Sequence, residues 1–409
     1  MQFGKSEKSL SAQSALSPEA VDPETGGDTY LYGSTGFLHS NSPMPYPRLR
    51  CDFAFTSRWK PTFRDRSTYV KLVLVAAFVL LTWRVLKMFG PPGTGLEGMP
   101  AYGESLGCDD SRYFQGLTFF EGYLHPEQAQ HSLDIRGAAV GTVHILQGDS
   151  DSVKYEMQYY TDSSSRRSQF AIKSPRRDDV VTGRDISRVE LATPLDLHGT
   201  CMRYDMKVIL PPQLKELHIR ALSTTQIKMS PLAEVSLDKL VISLYGNDRR
   251  NMLLVSNTFR ANLTDFELTS GWIVGSTQVL NKTVVTTQLG DAVTDLHVAP
   301  SPVVTNGSSV AELETTTGAG RTNILYNRKG STRPIHSSHR SWHRAGDMYL
   351  DYTKAAFNGK VNIVAKSFSA PGIKHSKGAG WMFVGEEDID TLIISSKGWV
   401  GLDLGKSQS

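Results

Sequence analysis

Residues 237–246 read LDKLVISLYG, and residues 266–275 read FELTSGWIVG. In the first stretch Leu240, Ile242 and Leu244 recur at every second position. A strand sends alternate side chains to opposite faces, so these three share one face. Leu217, Ile219 and Ala221 repeat the pattern. Outward from these stretches the same alternation predicts strands over Val140 to Leu146, Val153 to Tyr160, Tyr204 to Leu210, Met252 to Ser256 and Thr283 to Leu289. Further ones are expected over Asp295 to Val298, Met348 to Tyr352, Val361 to Ala365, Leu392 to Ser395 and Trp399 to Leu404. Many strand centres fall about ten to twelve residues apart, the spacing of short stacked strands. The expectation is an all-β domain over 130–404, a β-solenoid-like stack with a β-sandwich as the alternative. Pro300 to Arg344 is rich in Ser, Thr and Gly and reads as a polar insertion with one short strand, Asn323 to Tyr326. Ser163 to Asp179 reads as a smaller charged loop.

Before the β region, residues 69–89 read YVKLVLVAAFVLLTWRVLKMF. Twenty-one helical residues span roughly 30 Å, the thickness of a hydrocarbon core. Lys71, Arg84 and Lys87 interrupt its ends, where long stems snorkel to the headgroups. The segment lies too deep for a cleaved leader and is followed by GPPGTGLEGMP, so it reads as a signal-anchor. Arg48, Arg50, Arg58, Lys60, Arg64 and Arg66 precede it, whereas after Lys87 the next basic residue is Arg112. That bias predicts a cytosolic N-terminus and a luminal or cell-surface C-terminal domain. The expected organisation is a disordered tail over 1–68, a stalk and entry segment over 90–129, the β domain with its insertion at 300–344, and a short tail over 405–409.

The 409 residues are 39% hydrophobic and 21% charged with a net charge of +3, a globular balance that points away from nucleic acid. Cys108 and Cys201 lie on the predicted oxidising side and are either one disulfide or two separate thiols, while Cys51 lies on the other side. Asn262, Asn281 and Asn306 each open an N-x-[ST] sequon downstream of the anchor, as glycosylation requires.

The cadence of an apolar-x-apolar triplet followed by Gly or Asn in 237–246 and 266–275 resembles a putative-adhesin class of bacteria and of fungal single-pass membrane proteins. GDMYLDY (346–352), FNGKVNI (357–363) and SKGWVGLDL (396–404) look like the closing strands of the fungal versions. The resemblance covers 130–404 and implies a stacked β domain with a surface or luminal role. It brings no catalytic residues.

Chemistry-bearing clusters are few. His336, His339 and His343 have metal-ligand residue types, but Arg340 and Arg344 stand among them and repel a cation, so no metal is expected. Arg321, Arg328, Lys329, Arg333, Arg340, Trp342 and Arg344 form a basic run without an acid, a candidate surface for a glycan or an acidic protein. Glu386, Glu387, Asp388 and Asp390 crowd one loop. No nucleophile elbow, P-loop or dinucleotide fingerprint occurs, and no cofactor is expected. The leading expectation is a type II membrane protein with a non-catalytic ectodomain for adhesion, scaffolding or ligand binding. The rival is a membrane-anchored carbohydrate-active enzyme, which requires Asp265, Glu267 and Asp295 to converge.

Overall fold

The computed structural model describes residues 73–80, 82, 95–108, 114–162, 168–197, 201–302, 310–328, 330–371, 373–375, 381–385 and 389–405. The chain divides into two units, Met1–Val85 and Leu86–Ser409. In the first, residues 73–80 and 82 are helical, with Val73, Leu74 and Phe78 exposed. The tail over 1–68 and most of the expected anchor lie outside the described residues. Among the described residues no helix is long and apolar enough to cross a membrane.

The second unit is all-β. It opens with β1 (Phe114–Gly122), β2 (Gln130–Arg136), β3 (Val140–Gln147), β4 (Val153–Thr161), β5 (Ala171–Lys173), β6 (Arg188–Ala192) and β7 (Met202–Leu210). There follow β8 (Glu216–Ala221), β9 (Thr225–Met229), β10 (Val235–Leu244), β11 (Met252–Val255), β12 (Phe259–Leu268), β13 (Gly271–Val279), β14 (Lys282–Thr287) and β15 (Ala292–Pro300). The remainder are β16 (Ala311–Thr317), β17 (Arg321–Asn327), β18 (Ile335–Ser341), β19 (Asp347–Lys354), β20 (Gly359–Ser369), β21 (Lys374–His375), β22 (Met382–Val384) and β23 (Asp390–Asp403).

From β8 to β19 the chain alternates between two columns. The even strands β8 to β18 pair in parallel, each with the next even one. The odd strands β9 to β19 do the same. One circuit is therefore two strands and two corners, a coil rather than a set of hairpins. Inward side chains of both columns meet in one core, with Leu240, Ile242 and Leu244 buried as their spacing requires. Corners are tight where circuits stack. At Gly346 a side chain would strike the Gly318 carbonyl, and at Gly398 the Gly346 carbonyl, so only glycine fits this line of turns.

Both ends are interleaved. Strands β2 and β3 precede β6 to β9 in the chain yet lie between β6/β7 and β8/β9. At the far end β23 inserts between β18/β19 and β20 and pairs with both columns over its 14 residues. Antiparallel β4, β1 and β5 finish the first end, and β22 the other. The expected charged loop over 163–179 holds β5 and the start of a short helix, α1 (Arg177–Val181).

Two expectations are corrected. The segment from Pro300 to Arg344 is not an excursion: β16, β17 and β18 lie in it and continue both columns. Their inner positions alternate as strictly as any other strand, with Leu313, Thr315, Ile324, Tyr326, Ser337 and His339 buried. The polar composition misleads because the inner residues here include hydroxyls and an imidazole. Nor are residues 95–108 a free stalk, because they lie as a strap across the outer face of the odd column. Gly103 N–H donates to Gln226 Oε1 at 2.6 Å, and Arg203 donates to the Gly107 carbonyl at 2.9 Å. A disulfide joins Cys108 to Cys201, Cα atoms 5.8 Å apart. Beneath the strap the outward residues Thr142, Gln226, Met252 and Trp272, in register across β3, β9, β11 and β13, are buried.

Candidate functional site

The strap ends where the odd column presents a different surface. Three outward rows cross its later strands. Val293, Arg321 and Asp347 are in register in one row, and the Trp399 N–H donates to Asp347 Oδ1 at 3.4 Å. Asp295, Asn323, Tyr349 and Gly401 make the next row, and His297, Leu325, Asp351 and Asp403 the third.

The first two rows build an aromatic shelf. The Trp399 indole lies across Gly401, where any side chain would strike the ring. Trp and Gly two positions apart on one strand share a face, so the missing side chain lets the indole lie down on the sheet. Its ring centroid is 4.8 Å from that of Tyr349, at 49°. The Arg321 guanidinium sits 3.8 Å from the Tyr349 centroid, within cation–π range. Arg321 Nε donates to Asn323 Oδ1 at 2.8 Å, and its stem packs against Gly95, where the described strap begins. Tyr349, Trp399 and Asn323 are half-buried, neither core nor free. Half-burial beside them raises the Asp295 carboxyl above its ordinary pKa, against the lowering effect of His297 and Arg321.

The basic run expected as a surface does not form one. Arg321 belongs to the shelf. Arg328 reaches inward to the fully buried Asp390 at 2.6 Å, and Arg333 is buried with its guanidinium on the Val279, Ser301 and Val310 carbonyls. Arg340 is exposed on the opposite column, Trp342 and Arg344 lie in the corner after β18, and Lys329 is outside the described residues. Asp390 also accepts from the Ile335 and Asn358 N–H groups, which makes it a structural hub. Glu386, Glu387 and Asp388 lie outside the described residues.

The three histidines of 336–343 disperse as well. His336 faces solvent on β18, His339 is buried between Thr315 and Tyr352, and His343 is exposed in a corner. Among the described residues no group of His, Cys, Asp or Glu is arranged to hold a metal. The carboxylates required by the enzymatic rival separate: Asp265 and Glu267 lie outward on β12, while Asp295 lies outward on β15 of the other column. Glu267 accepts from Tyr245 and Gln288, so it is a surface hydrogen-bond partner. Asn262 and Asn281 are partly exposed at the surface, and Asn306 is outside the described residues. A groove of about 370 Å³ near α1 brings Glu121, His125, Asp151 and Arg177 to one rim.

Sequence reasoning passes over Tyr349 and Trp399 because each reads as an ordinary strand residue. The usable signal was W-x-G at 399–401, an aromatic with an absent side chain beside it on the same face.

No family model matches the chain, and no curated protein matches it in sequence. Solved structures that match include a putative cell adhesion protein from Clostridium sporogenes, 9% identical, TM-score 0.18, covering 71% of this chain and 99% of that one. A putative adhesin from Parabacteroides distasonis is 9% identical with a TM-score of 0.34, covering 70% and 96%. A protein of the same organism, described as a putative lipid binding protein, is 9% identical with a TM-score of 0.25, covering 70% and 96%. Likenesses at these scores carry no weight in the reading of the site.

Proposed function

We propose that this chain is a type II single-pass membrane protein whose β-rich ectodomain binds rather than catalyses, in adhesion or ligand display. One observation carries the reading. A fixed aromatic shelf, Tyr349 and Trp399 with Arg321, stands on parallel strands that are hydrogen-bonded on both sides. Half-exposed aromatics and an arginine held by packing lose little freedom on contact, which is why such residues anchor interfaces. The membrane part rests on the apolar run at 69–89 and on the basic residues before it. Many copies held in one bilayer would bind a surface through avidity, so a modest single contact suffices.

The test is attachment. Sealed vesicles carrying the full chain are first checked by protease for the side on which residues beyond 95 lie. Vesicles with that domain outward are then scored for attachment to intact cells. The reading predicts attachment that falls at least tenfold when Tyr349 and Trp399 are both changed to Ala. Attachment indifferent to both residues contradicts the binding role, and a domain confined to the cytosolic side of the membrane contradicts the topology.

A further inference from the structure

We infer that the shelf binds a neutral oligosaccharide, laid along the row Asp295, Asn323, Tyr349 and the indole over Gly401; the inference rests on the binding role proposed above. Three features select this ligand. The first is shape. The row crosses β15, β17, β19 and β23, which are adjacent in the odd column at about 4.8 Å each, so it offers a straight track roughly 15 Å long. Gly401 lets the indole lie down on the sheet, so the track is open above it.

The second is the surface chemistry of a sugar. One face of a pyranose carries C–H groups with a slight positive charge, which match the negative face of an aromatic ring. The Trp399 indole supplies such a face, and Tyr349, whose ring is covered on one face by the Arg321 guanidinium, stands beside it at 49° as the wall of the track. Sugar hydroxyls donate and accept hydrogen bonds. Asp295 supplies acceptors along the same row, and Asp351 and Asp403 along its rim.

The third is charge, and it decides between ligands. Asp295, Asp347, Asp351 and Asp403 lie in these rows; Arg321 is already engaged with Asn323 and the Tyr349 ring, and Lys397 and Lys366 are exposed beside Trp399. Such a mixed surface offers no basic patch to sulfated glycans, acidic proteins or anionic headgroups. A neutral saccharide needs none.

The full chain in detergent micelles is titrated with cellohexaose, laminarihexaose, chitohexaose and mannohexaose while tryptophan fluorescence is followed. Heparin hexasaccharide and phosphatidylserine vesicles serve as anionic probes. At least one neutral hexasaccharide is expected to bind saturably, and Trp399→Ala and Tyr349→Ala each to weaken it at least tenfold by calorimetry. Trp399→Phe keeps a flat ring and is expected to bind within about threefold of the native chain, a change under 1 kcal/mol. His336→Ala, on the other column, is expected to bind as the native chain does. Unchanged melting of the alanine variants separates lost contact from lost fold, and Trp399→Phe decides the matter should they fail to fold. The inference is overturned if no neutral saccharide binds, if binding ignores both aromatics, or if only the anionic probes bind. Should vesicle attachment still depend on Tyr349 and Trp399 in those cases, the binding role stands and only the saccharide falls.

Discussion

The circuits from β8 to β11 and those from β14 to β18 share one backbone plan and differ in what fills it. In the first group the inner residues are mostly buried aliphatics, among them Leu217, Ile219, Ile227, Ile242, Leu244 and Leu253, with the Thr225 hydroxyl beside them. In the second they include Thr283, Thr287, Thr294, Thr315, Thr317, Thr322 and Ser337, equally buried. The corners differ in the same sense. Neutral Asn251 serves the first group, accepting from the Thr225 N–H and donating to the Gly246 and Asp248 carbonyls. In the second group the buried Asp390 holds Arg328, Ile335 and Asn358. Parallel pairing therefore does not need an aliphatic interior once the register is set by its neighbours. Of these hydroxyls, Thr315 bonds His339 and Thr317 bonds Thr322, whereas those of Thr283, Thr287, Thr294 and Ser337 are buried without a hydrogen-bond partner, so the group depends on the few bonds it makes and on the Asp390 corner.

That contrast orders the expected effects. Asp390→Ala strands the Arg328 guanidinium and two N–H groups, and is expected to cost about 4 kcal/mol in denaturant unfolding. A loss under about 1 kcal/mol would remove the hub from the account. Ile242→Ala in the aliphatic group should cost roughly 3 kcal/mol through lost burial and a cavity.

Acid should act on both ends of the stack, because each holds a buried histidine. His131 lies between Ser187 and Tyr155, and His339 between Thr315 and Tyr352. Burial lowers both pKa values from 6.5 to about 3. The unfolded chain therefore binds protons below pH 6.5 that the folded one refuses, so stability is full above that pH and falls as pH drops towards 3. Each histidine contributes a slope of about 1.4 kcal/mol per pH unit within that window. His339→Gln should remove one histidine's share, and an unaltered slope in that variant would show that His339 titrates freely. The smallest effect has the opposite sign. The Thr294 hydroxyl is buried without a hydrogen bond, so Thr294→Val is expected to gain about 1 kcal/mol, where the same exchange at a bonded hydroxyl loses stability.

The same contrast governs how much could be read in advance. Alternation was legible at Leu240, Ile242 and Leu244, but β2, β6 and β9 went unread although Leu133 and Ile135, Val189 and Leu191, and Ile227 lie inward there, because each strand offers only one or two apolar positions. Within the second group the short strand at Asn323 to Tyr326 was legible through Ile324, and the structure extends it to Arg321–Asn327. Strands β16 and β18 were not, because ELETTT and IHSSHRS place Thr, Ser and His where an apolar period is sought. Burial there is imposed by strands on either side, which no local window contains. The strap was illegible for a related reason: Gly103 and Gln226 are 123 residues apart. The interleaved ends and the shelf likewise depend on which strand lies beside which, and only W-x-G at 399–401 hinted at the latter.

The central claim is that residues 311–341 belong to the stack as fully as residues 217–255. Amide hydrogen exchange of the full chain, read peptide by peptide, tests it most directly. The account predicts that amides of β16, β17 and β18 exchange as slowly as those of β10, through opening of the whole stack. Exchange within seconds over 311–341, with β10 still protected, would contradict it and restore the surface excursion that the composition suggested.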